Sequence, residues 1–549
     1  MHEDNPALAR MGYPVTSLTI GHVLADKAAK LGNRPFLNHV PDGRRYSFYD
    51  IHRLSNSLAN GLLKAGIRPG EHVVVMMENR PEQLLLYFAL GKIGAVAVPV
   101  NTAARGQLLQ HYINHSDAVV FVTESALLSS FLDVRSGTPL IRSIVLFEDP
   151  AGSAQEARGN AGMPICALQE LFDCPDSLPE VPVRFSDLAY LLFTSGTTGP
   201  SKAVMFTHAY ALLYGIDQAE NYGYRETDVV YVCLPLFHSN GLLSNTYGPL
   251  ATGAQVALSR RFSASNFWRE VRESGTTAFS IIGSIANILW SQPRNPLDSD
   301  HNVRQANIVP VPSAGTEFEK RFGLRIVSSY GLTDYGTATV FTPRDPVSKL
   351  GTAGRSRRGM QLHIVDENDM PVPPGLVGEI VLRSDYPWAT SAGYYKNPEA
   401  TLRAWRNFWF HTGDRGYLDE DGYLFFADRK KDSIRRRGEN ISAFEVEQTI
   451  VSHPAVADVA VFPVSSPLGE EEVAVAVVLV QGAKLEEAAL IEHYQRNMAY
   501  FMVPRYVGFV KDLPRNALHK VEKYKLQKDA QDTLGTYWDR EAMGIVLRR

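Results

Sequence analysis

Thr194-Ser195-Gly196-Thr197-Thr198-Gly199-Pro200-Ser201-Lys202 directly follows the apolar run Tyr190-Leu191-Leu192-Phe193. A strand that feeds a loop of glycines and small hydroxylated residues is suited to holding phosphate oxygens. Glycine lets the backbone come close, and N–H groups and hydroxyls donate to the oxygens. Lys202 adds a point charge. The loop is not of the Walker type, which would place Gly at 201 and Ser or Thr at 203, where this chain has Ser201 and Ala203. A bare glycine loop is often only a linker. A run of this length and composition after a strand points instead to bound phosphate.

Five more stretches follow the same kind of pattern. They are Leu234-Pro235-Leu236-Phe237-His238, Ser329-Tyr330-Gly331-Leu332-Thr333-Asp334, His411-Thr412-Gly413-Asp414, Asp428 to Glu445, and Pro514 to Lys520. In this order, and together with the loop, they resemble the adenylate-forming superfamily of acyl-CoA synthetases, luciferases and peptide-synthetase adenylation domains. The resemblance covers nearly the whole chain. Within the superfamily, the stretches Phe322 to Asp334 and Arg437 to Glu447 look like those of bacterial carnitine/crotonobetaine–CoA ligases.

The resemblance implies a role for each stretch. Tyr330 offers a flat face on which adenine stacks, Thr333 a hydroxyl for the α-phosphate, and Asp334 an oxygen ligand for Mg²⁺, a hard cation. Asp414 would take both ribose hydroxyls, although an Asp in a Gly-Asp turn is by itself ordinarily an Asx cap. Arg429 would make a second ribose or phosphate contact. His238, with Ser239, Asn240 and Gly241, resembles the mouth of the acyl pocket, and gating and a purely structural role both remain open for the histidine. Lys520 would swing in to bridge the acyl carboxylate and the α-phosphate, offsetting charge that builds during attack. The hinge position falls on Lys431, about which the small domain would rotate between two reaction faces. Gly438 resembles the loop lining a pantetheine tunnel. Arg435, Arg436 and Arg437, with Glu439 following, would reach the nucleotide phosphates of CoA or form a solvated face.

Three stretches depart from the family pattern, and all concern adenylation. Asp334 stands where Glu is usual. Asn307 to Pro312 replaces a Gly-Gly-Ala-Pro segment, and Leu518-His519-Lys520 replaces Thr/Ser-Gly-Lys. The bulk at 519 removes a glycine's freedom from the lysine loop. The expected reaction is an acid joined to CoA with ATP through an acyl-adenylate, and two forms of it stay open: both steps normal, with Asp334 and His519 tolerated, or adenylation the weaker step and a preformed acyl-AMP preferred. Other readings are an adenylation enzyme serving a carrier protein, a luciferase-like oxygenase, and a non-catalytic nucleotide-binding descendant. No phosphopantetheine site of the Gly-x-Asp-Ser kind follows in this sequence, which favours free CoA over a carrier.

These residues need elements to hold them. Ser47 and Asp50 form a capping-box pattern ahead of Ile51, Leu54, Leu58 and Leu62 at helical spacing, stopped by Gly66. Val73 to Val75, Gly94 to Val98 and Val119 to Val122 read as short buried strands, and Pro81 as the first residue of a helix. Such β–α alternation predicts an α/β fold of parallel-type sheets layered with helices. Asp149 to Pro182 reads as loop-rich, with Gly, Ala, Pro and Asp scattered through it. Ser442 and Glu445 make another capping box, and Glu472 to Val480 and Arg505 to Val510 read as strands. A large N-terminal domain over 1–429 and a small mobile α+β domain over 430–549 are therefore expected.

Composition agrees with an enzyme of the cytoplasm. Of 549 residues, 45% are apolar and 21% charged, and 55 basic against 59 acidic side chains leave a net charge of −4. That near-neutrality gives no footprint for nucleic acid or an anionic membrane. The three cysteines, Cys166, Cys174 and Cys233, show no regular spacing, as expected of reduced thiols. The opening MHEDNPALAR lacks the apolar stretch of a signal peptide. The longest apolar run, Val473 to Val480, is far short of the ~20 residues of a membrane helix. No histidine pair has zinc-site spacing, and His208 reads as structural.

Overall fold

The valines at 73–75 lie, in the computed structural model, in the strand His72–Met76, whose residues are all buried. Burial on both faces is what a continuous apolar run produces in a parallel sheet. The strand belongs to a seven-stranded sheet ordered Ile165–Ala167, Ser143–Phe147, Val120–Glu124, His72–Met76, Val96–Pro99, Leu188–Thr194, Lys202–Thr207. Its pairs are parallel except the last. The structure describes residues 10–148, 162–194, 201–312, 314–429, 433–466, 469–515 and 521–547.

A second, nine-stranded sheet runs Arg355–Ser356, Gly336–Phe341, Arg325–Leu332, Gln305–Val309, Ala278–Ile282, Val229–Val232, Gln255–Leu258, Pro35–His39, Arg45–Ser47. It is parallel in the middle and antiparallel at its margins. Two helices fill the space between the sheets. In Pro81–Lys92 every residue but Glu82 is buried, and His208–Tyr222 is nearly as enclosed. A helix apolar all round is one packed on all sides. Their side chains share one core with Val73 and Val75 of the first sheet and Val232 and Leu258 of the second.

The expected helix signals hold. Phe48–Lys64 starts at a complete Ser47/Asp50 capping box, and Pro81 is the first residue of its helix. Within the loop-rich stretch 149–182, Ile165–Ala167 adds an edge strand parallel to Ser143–Phe147. The run is too short to show period-2 patterning, and pairing alone defines it. One expectation needs correction: residues 360–429 form a five-stranded antiparallel sheet rather than a parallel one.

From 433 onward the described strands pair only with one another. Ser433–Arg436 and Glu439–Ser442 form a hairpin, and Val456–Ser465, Glu471–Leu479, Tyr506–Phe509 and Trp538–Asp539 form a four-stranded sheet. Val473, Val475 and Val477 are buried, as the apolar run predicts. Among the described residues, no helix is long and apolar enough to cross a membrane.

Candidate active site

Two antiparallel strands bracket the glycine loop. Thr194 ends Leu188–Thr194 and pairs with Lys202, the first residue of Lys202–Thr207. Ser195, Gly196, Thr197, Thr198 and Gly199 lie outside the described residues. Ser201 closes the loop and is held from three sides. Its N–H donates to Glu445 Oε1 at 2.7 Å, and its carbonyl lies 3.3 Å from His111 Nε2. Its side chain hydrogen-bonds the Tyr112 hydroxyl. Burial raises the Glu445 carboxyl above its ordinary range, and the Ser201 contacts offset that only in part.

The loop connects physically to Asp334. The Lys202 ammonium lies 4.6 Å from the centroid of the Tyr394 ring, a cation–π distance. The Tyr394 phenol in turn faces the Asp334 carboxylate, and burial together with that charge raises the phenol well above its usual range. The neighbouring Thr333 is fixed through its carbonyl, which accepts from the Tyr210 hydroxyl at 2.9 Å. Its own hydroxyl lies 3.4 Å from Ser239 Oγ, which is also 3.4 Å from the Tyr214 hydroxyl.

Tyr330 and Asp414 meet, although 84 residues separate them: the tyrosine hydroxyl donates to Asp414 Oδ2 at 2.8 Å. Asp414 is on Trp409–Leu418, where its register partner is Arg429. Its carboxylate does more than cap its own turn, since it reaches a different sheet. The Arg429 side chain, Lys431 and Lys520, with Leu518 and His519, lie outside the described residues.

The C-terminal hairpin comes to the same place. Glu439 accepts from Asn101 Nδ2 at 3.2 Å and lies 3.1 Å from His238 Nε2. Burial pushes the Glu439 carboxyl up, but His238, Asn101 and Arg435 outweigh it and hold the pKa below its ordinary value. Gly438 has φ +85°, and a Cβ there would stand 2.0 Å from Ile282 Cδ1. Only glycine lets the hairpin turn seat on the end of Ala278–Ile282.

The structure divides the residues expected to act together. Arg436 is buried, ion-paired to Glu472 at 2.7 Å and bonded to the carbonyls of Phe501 and Val503. Burial lowers its pKa to about 10. It holds the small sheet together, whereas Arg435 and Arg437 keep surface exposure. In the expected acyl-pocket group, Gly241 packs on the chain, since a Cβ would lie 2.3 Å from the Pro235 carbonyl. Asn240 Oδ1 accepts from Asn245 and Ser280 at 2.7 and 3.1 Å. Tyr394, Asn101 and Ile282 escaped sequence reasoning, and the sequence marks Glu445 as half of a capping box and not as a partner of Ser201. Each meets its partner across a long stretch of chain, and no local spacing marks such pairs.

For a divalent cation, Asp334 supplies one hard oxygen ligand, and no group of three His, Cys, Asp or Glu side chains is placed to hold a metal among the described residues. One carboxylate suits Mg²⁺, which keeps waters and takes substrate phosphate oxygens as its other ligands.

Residues 24–395 match the family model described as AMP-binding enzyme, and residues 445–520 match that of the AMP-binding enzyme C-terminal domain. A crotonobetaine/carnitine–CoA ligase from Salmonella paratyphi A is 31% identical over 494 residues, covering 88% of this chain and 93% of the relative. The enzyme of the same name from Proteus mirabilis is 32% identical over 492 residues, with 88% and 93% covered. The structure of o-succinylbenzoate CoA synthetase from Bacillus subtilis superposes with a TM-score of 0.79 at 24% identity, over 92% of this chain and 98% of that one.

Proposed function

The chain belongs to the AMP-binding enzyme family, and from that premise we infer that it is an AMP-forming acid–thiol ligase converting a carboxylic acid, ATP and CoA to acyl-CoA. The observation that carries this reading is the convergence of both half-sites. Glu439 of the C-terminal hairpin bonds His238, and the next residue, Ser239, lies against Thr333. The nucleotide-side threonine and the thiol-side loop therefore flank one spot.

In the first step the acid's carboxylate attacks the α-phosphorus and pyrophosphate leaves. Loop 194–202, Tyr330, Thr333, Asp414 and Arg429 hold the nucleotide, and Lys520 offsets the developing charge. Asp334, oriented by Tyr394, would hold the Mg²⁺ that neutralises phosphate charge. In the second step the CoA thiol attacks the acyl carbon and AMP leaves. Gly438, Glu439, Arg435 and Arg437 serve that step, and the seating of Gly438 against Ile282 and of Glu439 against His238 supports reading the present arrangement as the thiol-transfer one. The small domain, 430–549, turns about Lys431 against 1–429. The reaction draws on ATP and CoA, which fits a cytoplasmic enzyme.

Adenylation is the weaker step, because Asp334, Val309 to Pro312 and Leu518-His519 all depart from pattern on the nucleotide side. The test of the function is a panel of carboxylic acids with Mg-ATP and CoA, following pyrophosphate, AMP and thioester. Stoichiometric AMP and acyl-CoA from one acid is the expected result. Thioester formed only on a carrier protein, or no acid-dependent product at all, overturns it.

A further inference from the structure

Ser280, Asn307 and Ser329 form a polar row across three adjacent strands of the nine-stranded sheet. Ser280 is in register with Asn307, and Asn307 with Val327, so Ser329, two residues on, shares that face. The opposite face of the same strands is apolar, with Phe279, Ile281 and Ile308 in a closed core. The polar row is tied together: Asn307 Nδ2 donates to Ser280 Oγ at 2.9 Å, and Ser280 donates to Asn240 Oδ1 at 3.1 Å. At its other end the Tyr222 hydroxyl lies 3.0 Å from Ser329 Oγ, with the Asn307 amide group on its acceptor side.

One group in the row has no protein partner. Asn307 is 4% exposed, and no donor reaches its Oδ1. Buried acceptors are nearly always paired, so such an oxygen asks for a donor from outside the chain. Asn240 opens a π-helical run, Asn240–Tyr247, a geometry concentrated at functional sites. The row also leads out to the reaction centre. Asn240 follows Ser239, which lies against Thr333, and Ile282, two residues beyond Ser280, meets Gly438. The row thus lies just inside the spot where the nucleotide and thiol sides meet, where the tail of a bound acid must extend.

The carboxylates felt by the surrounding tyrosines are Asp334, Asp217 and Asp228, and the last two are already paired. Asp217 pairs with Arg10 and Arg357 at 2.7 and 2.6 Å, and Asp228 with Arg304 at 2.5 Å. Neither offers a free negative charge to a cationic tail.

Resting on the ligase reading, we propose that Asn307 sets the specificity of the acyl pocket, and that the acid carries an uncharged hydrogen-bond donor, a hydroxyl or amide N–H, accepted by Asn307 Oδ1. The test compares acids of matched length with a hydroxyl, an amide, a plain alkyl and a trimethylammonium tail. Each is given with ATP and CoA and, separately, as its synthetic acyl-AMP with CoA, so that slow adenylation does not mask the preference. A donor-bearing tail is expected to exceed its alkyl match at least about tenfold in kcat/KM, as sites built around a substrate hydroxyl do. Asn307→Leu should erase most of that ratio, whatever it does to the absolute rates, and the wild-type ratios decide the matter should the variant not fold. Turnover that favours the alkyl or trimethylammonium tail overturns the pocket assignment alone. No thioester from any acid or adenylate overturns the ligase reading and this inference with it.

Discussion

At the scale of single residues, the site depends on buried carboxylates whose partners lie far along the chain. Asp414 is 2% exposed and already bonded to Tyr330. Removing a charged hydrogen-bonding group costs about 1.5–3 kcal/mol. Asp414→Ala should therefore weaken AMP binding roughly tenfold or more and shrink the rise in melting temperature that saturating AMP produces. An undiminished rise would remove Asp414 from the nucleotide site. Glu439 gives the complementary case. Glu439→Gln keeps the shape but loses the charge facing His238. It should slow thioester formation from preformed acyl-AMP about tenfold while ATP–pyrophosphate exchange stays near normal. Equal loss in both assays would show that the glutamate merely supports the fold.

At the scale of elements, the packing of Phe48–Lys64 on Pro81–Lys92 buries an amine. The Lys92 ammonium donates to the His52 carbonyl, Ser55 Oγ and Asn56 Oδ1 at 2.9, 2.8 and 2.6 Å, all uncharged acceptors. Burial lowers its pKa to about 7. An unfolded lysine holds its proton to about pH 10.4. Between these values the unfolded chain binds more protons than the native one, so this group's contribution to stability rises with pH. Denaturant unfolding of wild type and Lys92→Met at several pH values should show the wild type gaining on the variant from pH 7 to 10. A difference constant over that range would mean that Lys92 does not lose its proton in the fold.

At the scale of the whole molecule, the contacts that seat the described residues beyond 433 on the rest include Ser201 with Glu445, Asn101 and His238 with Glu439, and Ile282 with Gly438. On the proposed reading Lys520 serves adenylation in a second arrangement, and the pivot between the two is what a variant can test. Lys431→Pro fixes φ at the proposed hinge and should suppress one half-reaction far more than the other. If both fall together in a folded variant, the pivot lies elsewhere. The three nucleotide-side departures make a further prediction. Losing one preorganised charge-stabilising group costs about 10²–10³ in rate, so acid plus ATP should release pyrophosphate at least about a hundredfold more slowly than acyl-AMP is consumed with CoA. Comparable rates would show that Asp334 and His519 are tolerated.

The sequence alone determined the kinds of element and most of the motif residues. Helix caps at Ser47 and Pro81, the valine strands and the hydroxyl-rich loop are local signals, written within a turn or two of chain by backbone geometry and burial period. Tertiary structure decided which of those residues act together. Arg435, Arg436 and Arg437 are alike in sequence, yet only the fold puts Arg436 into the core of the small sheet. Ser442 and Glu445 read as a capping box. The helix start does use the Ser442 hydroxyl, but Glu445 Oε1 reaches across to Ser201. The row Ser280–Asn307–Ser329 likewise exists only because three strands align in register. Hydrogen bonds and desolvation act through space, and a buried acceptor's partner can lie hundreds of residues away, where no local spacing records it.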